Sequence, residues 1–237
     1  MKKLTLLISI LFLLSFSHKQ KQITIFTIGD STMANKTTPG DHAAERGWGM
    51  LLQEFFKPTV TIQNHAKNGR SSKSFRTEGR WTKVQEQIKK GDYVFIQFGH
   101  NDQKADTLLH TDPETTYKAN LVRYITETRE RGGIPVLFTS IVRRSFKTDG
   151  TLRDTHGAYI DAVRQVAVQH KVIFIDLNIA TKELVENIGN ETSKNLYMWV
   201  DDRKDNTHLN EKGARAVTRM AVDSLKTKFP KLRKYLR

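Results

Sequence analysis

Three side chains of the types used in nucleophilic catalysis occur in this 237-residue sequence, a serine near one end and an aspartate and a histidine near the other. Ser31 follows an apolar run and a glycine in the string TIFTIGDSTM, where a turn after a strand would expose its hydroxyl. A serine is a weak nucleophile unless a base accepts its proton. Asp205 and His208 lie three residues apart in DNTHLNEKGA, so the carboxylate can bind one imidazole nitrogen and leave the other facing Ser31. These three residues are the candidate catalytic group.

Acyl transfer also requires hydrogen-bond donors aimed at the oxygen that becomes negative. The sequence offers three candidates, which are the backbone N–H groups of Ser31 and Gly69 and the side-chain amide of Asn101. Gly69 lies in NHAKNGRSS and Asn101 in GHND, and a glycine lets the backbone approach a ligand closely. Each candidate also has an ordinary interpretation, because these residue types are common in turns and helix caps.

The elements that must position these residues are predicted from hydrophobic patterning, in which strand-length apolar runs alternate with helical periods. Five strands are predicted, at Ile23–Ile28, Thr59–His65, Asp92–Gly99, Ile134–Ile141 and Val172–Asp176. Helices are predicted at Gly47–Phe56, Arg80–Lys90, about Pro113–Arg131, Asp154–His170 and Ile179–Ile188, with a last helix from about Asn210. The alternation predicts an α/β fold, a three-layer flavodoxin-like sandwich around a parallel sheet of about five strands in the order 2-1-3-4-5. The basic C-terminal string KTKFPKLRKYLR is predicted to be a solvated helix end and tail.

In such a sheet, ligands bind beyond the carboxyl ends of the strands, at the point where the strand order reverses. That point lies here between strands one and three, which end at the GDS and GHND strings. The loop after strand two, beside strand one, contains Gly69. The predicted fold therefore brings Ser31, Gly69 and Asn101 to one crevice, and Asp205 and His208 are predicted to reach it from the loop before the last helix.

The N-terminal string MKKLTLLISILFLLSFSHKQ has the features of a secretory signal peptide. Two lysines precede an apolar core, Leu4–Phe16, which is too short to span a bilayer. We predict a signal peptide over residues 1–17, a mature chain from about His18 and a single domain over residues 18–237. The alternative is an N-terminal helix of the domain itself. Because the sequence has no cysteine, we expect no lipid anchor and no disulfide. From the signal peptide we predict a bacterial protein that is periplasmic or secreted.

The formal net charge of the chain is +14, or +12 without the predicted signal peptide. A strongly basic exported protein is typical of one that meets an acidic partner, such as nucleic acid, anionic lipid or an acidic polysaccharide, although solubility alone is an alternative explanation. No nucleic-acid-binding module is recognisable in the sequence, so we expect no nucleic-acid partner. We also expect a monomer.

The strings GDS, NG, GHND and DNTH resemble, in this order, the four blocks of the SGNH (GDSL-type) hydrolase superfamily. Longer strings resemble the rhamnogalacturonan acetylesterase family within it, over about Thr24–Ala221: TIGDSTMA, GWGMLL, NHAKNGRSSKSFRTEGRW, GDYVFIQFGHNDQK and DNTHLNEKGA. Thr32 departs from the leucine that lipase-like members often have at this position, and this agrees with the pectin-acting branch.

The resemblance implies the SGNH hydrolase fold and a role for each candidate residue. Ser31 is the implied nucleophile, His208 the general base and Asp205 the group that orients His208. Ser31, Gly69 and Asn101 are the implied oxyanion hole. No metal and no other cofactor is implied.

From this resemblance we expect an exported serine esterase that removes acetyl groups from rhamnogalacturonan, an acidic polysaccharide, or from its oligosaccharides, through an acetyl-enzyme. The alternatives are another SGNH esterase, either an acetyl-xylan esterase or a lipase-like enzyme, and a non-catalytic glycan-binding protein on the same scaffold. A metal-dependent enzyme is a fourth reading, with a site built from Asp201, Asp202, Asp205 and His208. Four residues that suit sugar stacking or carboxylate pairing are left unassigned: Trp48, Trp81, Arg143 and Arg144.

Overall fold

A computed structural model of the chain describes residues 21–36, 44–200 and 202–237. The predicted signal peptide over residues 1–17 and the predicted mature start at His18 lie outside the described residues. Five parallel strands form the central sheet: β1 (Ile23–Gly29), β2 (Val60–Asn64), β3 (Tyr93–Gln97), β4 (Ile134–Phe138) and β5 (Ile173–Ile175). Their order is β2-β1-β3-β4-β5, which confirms the predicted α/β topology.

Helices pack on both sides of this sheet. In chain order they are a 3-10 helix (Trp48–Phe55), α1 (Ser74–Thr77), α2 (Arg80–Gln85), α3 (Thr116–Glu130), α4 (Ala158–Gln169), α5 (Leu177–Ile188), α6 (Asn190–Ser193), a 3-10 turn (Lys194–Leu196), α7 (Glu211–Lys228) and α8 (Pro230–Arg233). An antiparallel hairpin of β6 (Tyr197–Val200) and β7 (Arg203–Leu209) precedes α7. Within the described part of the chain, no helix is long and apolar enough to cross a membrane.

The sheet is the middle layer of three, because successive residues of a strand point to opposite faces. In β1, Ile23 and Ile25 belong to one apolar core, and Phe26 and Ile28 belong to the other. The first core lies under the 3-10 helix, α5 and α7, and the second under α1, α2, α3 and α4. Burial on both faces explains why the strands read as near-continuous apolar runs.

Two observed helices differ from the predicted ones. The segment predicted as the first helix is a 3-10 helix, whose start packs tightly on the turn after β1: the Trp48 N–H donates to the Thr32 carbonyl (2.9 Å). A Cβ atom at Gly47 would lie 2.2 Å from the carbonyl oxygen of Ala34, so only glycine fits this approach. The predicted helix over residues 80–90 ends at Gln85 and continues in tighter i→i+3 turns.

The C-terminal segment was predicted to be a solvated tail, and that prediction is wrong. Leu232, Tyr235 and Leu236 are all buried, and they belong to the core under α7. The Tyr235 carbonyl accepts a hydrogen bond from the Lys57 N–H (2.9 Å), which ties the segment to the end of the first 3-10 helix. The segment is rich in lysine and arginine, but its apolar side chains complete the core under α7.

Candidate active site

Ser31 lies in the tight turn that follows β1, at the carboxyl edge of the sheet. The Asp30 carbonyl accepts hydrogen bonds from the N–H groups of Met33 (3.2 Å) and Ala34 (3.0 Å). The Asp30 carboxylate accepts one from the N–H of Thr32 (2.9 Å). These bonds fix the turn, and the Ser31 side chain, which is largely buried, reaches a cleft in the surface.

A buried polar chain connects this turn to two neighbouring elements. The Thr32 hydroxyl donates to Asp30 (2.8 Å) and accepts from the Gln97 amide (2.8 Å), and the Trp48 indole N–H donates to the Gln97 amide oxygen. Gln97 ends β3 and Trp48 begins the first 3-10 helix, so these two elements hold the turn that carries Ser31. Burial raises the pKa of Asp30, although its hydrogen bonds with Thr32 oppose this shift.

His208 and Asp205 approach Ser31 from β7. The Ser31 Oγ lies 2.9 Å from the His208 Nε2, and the His208 Nδ1 lies 2.7 Å from the Asp205 Oδ2. The adjacent carboxylate keeps the proton on Nδ1, which leaves Nε2 free to accept the Ser31 proton. This is the geometry of a nucleophile, a base and an orienting carboxylate.

Several donors fix the Asp205 carboxylate. Its Oδ1 accepts hydrogen bonds from the N–H groups of Thr207 (2.8 Å) and His208 (2.9 Å), and its Oδ2 accepts one from Arg203 (2.6 Å). Burial favours the protonated form of Asp205, but these hydrogen bonds and the one from the His208 ring outweigh it and hold the pKa well below the usual range. Asp205 is therefore ionised at neutral pH. Arg203 also pairs with the buried Glu45 (3.0 Å).

The three candidate oxyanion donors belong to residues that line the same cleft. In the part of the chain that the structure describes, neither the Ser31 N–H nor the Gly69 N–H donates to a protein acceptor. Gly69 has φ +75°, a left-handed conformation that orients its N–H at little cost for glycine. The Asn101 side-chain amide donates to the Arg70 carbonyl (3.1 Å), which fixes its orientation and leaves a second N–H available.

The cleft has a volume of ≈ 480 Å³, within the range of small-ligand sites. Its lining consists of the candidate residues and several polar neighbours: Ser31, Glu45, Asn68, Gly69, His100, Asn101, Lys104, Arg143, Thr207 and His208. Burial, together with the charges of His156 and Arg143, lowers the pKa of His100 well below its usual value, so this imidazole is neutral. The cleft is thus lined mainly by polar and charged residues and has Ser31 in its wall.

Comparison with known proteins shows where this arrangement belongs. The model of the GDSL-like lipase/acylhydrolase family matches residues 27–216. The chain belongs to this family. Rhamnogalacturonan acetylesterase RhgT of Bacillus subtilis is 39% identical over 215 residues, covering 87% of this chain and 90% of that protein. The fungal rhamnogalacturonan acetylesterase of Emericella nidulans is 28% identical over 214 residues, covering 82% of this chain and 81% of that protein. The predicted resemblance to both the superfamily and the rhamnogalacturonan acetylesterases is confirmed.

Solved structures of GDSL-like proteins share the fold. YxiM of Bacillus subtilis superimposes with a TM-score of 0.77 at 28% identity, covering 87% of this chain and 57% of that longer one. A variant of Axe2, an acetylxylan esterase from Geobacillus stearothermophilus, superimposes with a TM-score of 0.60 at 21% identity, covering 86% of this chain and 94% of that one. The predicted SGNH hydrolase fold is confirmed.

Of the five predicted site residues, the structure of this GDSL-like chain places four in the lining of one cleft: Ser31, Gly69, Asn101 and His208. The fifth, Asp205, does not line the cleft and contacts the His208 ring (2.7 Å). One prediction about their setting is wrong, because Asp205 and His208 lie on strand β7 and not in a loop. Asp201 of the metal-dependent alternative lies outside the described residues. Among the described residues no cluster of three or more histidine and carboxylate side chains is arranged to hold a metal ion.

The structure shows where each of the four unassigned residues lies. Trp48 and Trp81 are fully buried in the two apolar cores. Arg144 is buried against Ser193 and Asn206 (both 3.0 Å) and holds the loop after β4 in place. Arg143 lines the cleft, and its position beyond the carboxyl end of strand four is a sequence signal that could have assigned it to the site.

Proposed function

We propose that this chain is a carbohydrate acetylesterase that removes acetyl groups from rhamnogalacturonan through an acetyl-enzyme intermediate. The observation that carries the proposal is the pair of distances around His208, 2.9 Å to the Ser31 Oγ and 2.7 Å to the Asp205 carboxylate. Rhamnogalacturonan acetylesterases among the relatives support the choice of substrate.

In the first half of the proposed reaction, the Ser31 Oγ attacks the acetyl carbonyl carbon while the His208 Nε2 takes the hydroxyl proton. The tetrahedral intermediate collapses, the bond to the sugar oxygen breaks, and His208 gives its proton to that oxygen. The sugar leaves with a free hydroxyl, and the acetyl group remains on Ser31. Asp205 stabilises the imidazolium that forms between the two proton transfers.

In the second half, water attacks the acetyl carbonyl while His208 takes one of its protons. The bond between the acetyl carbon and the Ser31 Oγ breaks, the proton passes from His208 to that oxygen, and acetic acid leaves and ionises to acetate. In both halves the carbonyl oxygen becomes negative, and the proposed donors to it are the N–H groups of Ser31 and Gly69 and the Asn101 amide. Loss of one such donor typically costs about 10²–10³ in rate, so Asn101→Ala is expected to lower kcat more than it raises KM.

Acetate release from a substrate panel tests the proposal. Acetylated rhamnogalacturonan, acetylated homogalacturonan, acetylated xylan and p-nitrophenyl acetate are compared, and the highest kcat/KM is expected for rhamnogalacturonan. A preference for xylan, or for a p-nitrophenyl octanoate ester over the acetate, contradicts the proposed substrate and favours another SGNH esterase.

Ser31→Ala tests the proposed nucleophile. The variant is expected to release no acetate above background and to resist labelling by a fluorophosphonate probe, because the attacking oxygen is absent. Ser224→Ala, which removes a hydroxyl on α7, is the matched control and is expected to behave as the wild type. If Ser31→Ala keeps wild-type turnover, the serine mechanism is contradicted. If the wild-type protein binds the polymer and does not hydrolyse it, a glycan-binding protein is favoured.

We also propose export of the protein after removal of residues 1–17, on the strength of the charged and apolar pattern of that segment. Mass spectrometry of the N-terminus in extracytoplasmic fractions tests this, and a mature chain beginning near His18 is expected. An intact N-terminus in the soluble cytoplasmic fraction contradicts it.

A further inference from the structure

Arg143 follows β4, and its guanidinium group lies in the wall of the cleft that contains Ser31. Its Nη1 donates to the Thr155 carbonyl (3.1 Å) and its Nη2 to the His100 carbonyl (3.2 Å). Throughout the described residues, no carboxylate forms an ion pair with this group. A guanidinium has five N–H donors, so three remain for a ligand.

Lys104 adds a second positive charge to the same cleft. It projects from the turn after β3, is exposed, and has no ion pair within the described chain. Glu45, a carboxylate that lines the cleft, is already paired with Lys36 (2.7 Å) and Arg203 (3.0 Å). The cleft therefore carries an excess of positive charge next to Ser31.

The surroundings of Arg143 make an anionic ligand favourable there. The group is half-buried, and burial lowers its pKa, an effect that attraction to Asp30 opposes. An arginine remains charged even so, and a desolvated charge is stabilised by any anion that supplies the missing hydrogen bonds. A planar carboxylate matches the guanidinium group, since its two oxygens accept parallel N–H bonds.

We propose that Arg143 and Lys104 form a carboxylate-binding subsite beside Ser31, which binds the uronate group of an acidic sugar at or next to the acetylated residue. The inference rests on the proposed function, because the subsite shares the cleft with the proposed nucleophile. Its position follows from the chain: Arg143 bonds to the carbonyl of His100, and the next residue is Asn101, a proposed oxyanion donor. The neutral ring of His100 leaves charge recognition to the arginine and the lysine.

Competition against p-nitrophenyl acetate hydrolysis tests the subsite without requiring that the enzyme deacetylate any polymer. The inhibitors are unacetylated oligogalacturonate and its methyl ester, which lacks the negative charge of the sugar acid and carries one additional methyl group per residue. The wild type is expected to bind the free acid about tenfold more tightly than the ester, as loss of a charged hydrogen-bonded pair commonly produces. Arg143→Gln is expected to remove most of this preference, Lys104→Gln part of it, and Arg143→Lys is expected to restore it partly.

Arg123→Gln is the matched control, because it removes the same charge from an exposed position on α3. It is expected to keep the wild-type preference. The proposal is overturned if the wild type binds acid and ester equally, or if the preference survives in the Arg143→Gln, Lys104→Gln double variant. If Arg143→Gln fails to fold, Lys104→Gln alone decides the outcome. The two proposals can fail separately. If the enzyme releases no acetate from acidic polymers but still prefers the acidic inhibitor, the proposed function is contradicted and the proposed carboxylate subsite is supported.

Discussion

At the scale of single residues, the His208 ring is oriented by the Asp205 carboxylate, which is fixed in turn by its own hydrogen bonds. Asp205 accepts hydrogen bonds from the N–H groups of Thr207 and His208, from the His208 ring and from Arg203, so its position is set by both main chain and side chain. In the proposed mechanism this alignment keeps the His208 Nε2 unprotonated and directed at Ser31. The histidine depends on this carboxylate for its tautomer as well as for its orientation.

Asp205→Asn is expected to lower kcat for p-nitrophenyl acetate by about 10³-fold or more, because an amide cannot stabilise the imidazolium and favours the wrong tautomer. Steady-state kinetics measure the change, and circular dichroism checks the fold. Asp202→Asn, which removes an exposed carboxylate from the same hairpin, is expected to retain wild-type kcat. A kcat for Asp205→Asn within threefold of the wild type contradicts the orienting role.

Asp102, the last residue of the GHND string, couples stability to pH. It accepts hydrogen bonds from the Ser72 N–H (3.0 Å) and the Thr111 hydroxyl (3.0 Å), yet burial raises its pKa to about 6. The unfolded chain has the lower, ordinary value, so between about pH 4 and pH 6 the folded state binds more protons. The stabilising contribution is complete below about pH 4 and is lost as the pH rises through about 6.

The free energy of unfolding of the wild type, relative to Asp102→Asn, is therefore expected to fall by up to about 3 kcal/mol between pH 4 and pH 7. The asparagine variant cannot titrate at this position, so the difference isolates the carboxyl group. Urea unfolding at a series of pH values measures it, with the exposed Asp223→Asn as control. A difference that is constant or grows with pH contradicts the raised pKa.

At the scale of elements, the hairpin of β6 and β7 was not predicted from the sequence. The strands of the central sheet are apolar runs, and their burial on two faces makes them recognisable. In contrast, β7 has the sequence RKDNTHL, with only Leu209 buried among the residues described, and so has no apolar alternation. Its extended conformation comes from pairing with β6, which local sequence does not encode. The structure places the residues predicted for the site close together, but it places Asp205 and His208 on a strand and not in the predicted loop.

The 3-10 turn that leads into the hairpin packs closely on α7 at Gly213. A Cβ atom there would lie 2.0 Å from the carbonyl oxygen of Leu196, which is backbone and cannot move away independently. Asn210 caps α7 by accepting from the Gly213 N–H (3.0 Å), and the Asn210 N–H donates to the Leu196 carbonyl (3.2 Å). The start of the helix thus fixes the end of the strand that carries His208.

Gly213→Ala is expected to destabilise the protein by about 2–4 kcal/mol and to lower kcat, because the overlap displaces the strand that carries His208. Thermal unfolding and p-nitrophenyl acetate kinetics measure the two effects. Gly150→Ala is the control, since its Cβ meets no atom within 4 Å and its φ of +82° costs only about 1–2 kcal/mol. Equal stability and kcat in the two variants exclude the close contact as the cause.

At the scale of the whole molecule, the topology was predictable and the closure of the core was not. Strand order followed from the alternation of strands and helices, because right-handed crossovers leave few arrangements for five parallel strands. The C-terminal segment contains so many lysine and arginine residues that its few apolar residues do not indicate burial. Leu232 and Leu236 become informative only when the fold is known to bring them into the same apolar core as the 3-10 helix and α7.

Deletion of residues 230–237 is expected to lower Tm by about 10 °C or more, because it exposes the sites of three buried side chains, each worth about 1.5–3 kcal/mol. Differential scanning calorimetry measures the shift. Lys231→Gln, an exposed substitution in the same segment, is expected to leave Tm within about 1 °C of the wild type. A truncated protein with wild-type Tm contradicts the structural role of the segment.

Ser31 and His208 are separated by 177 positions in the chain. A ribosome must therefore synthesise nearly the entire polypeptide before the two side chains can meet. Under the proposed mechanism turnover requires both of them, so in a refolding experiment the return of acetate release is expected to report only molecules in which the two distant segments have come together.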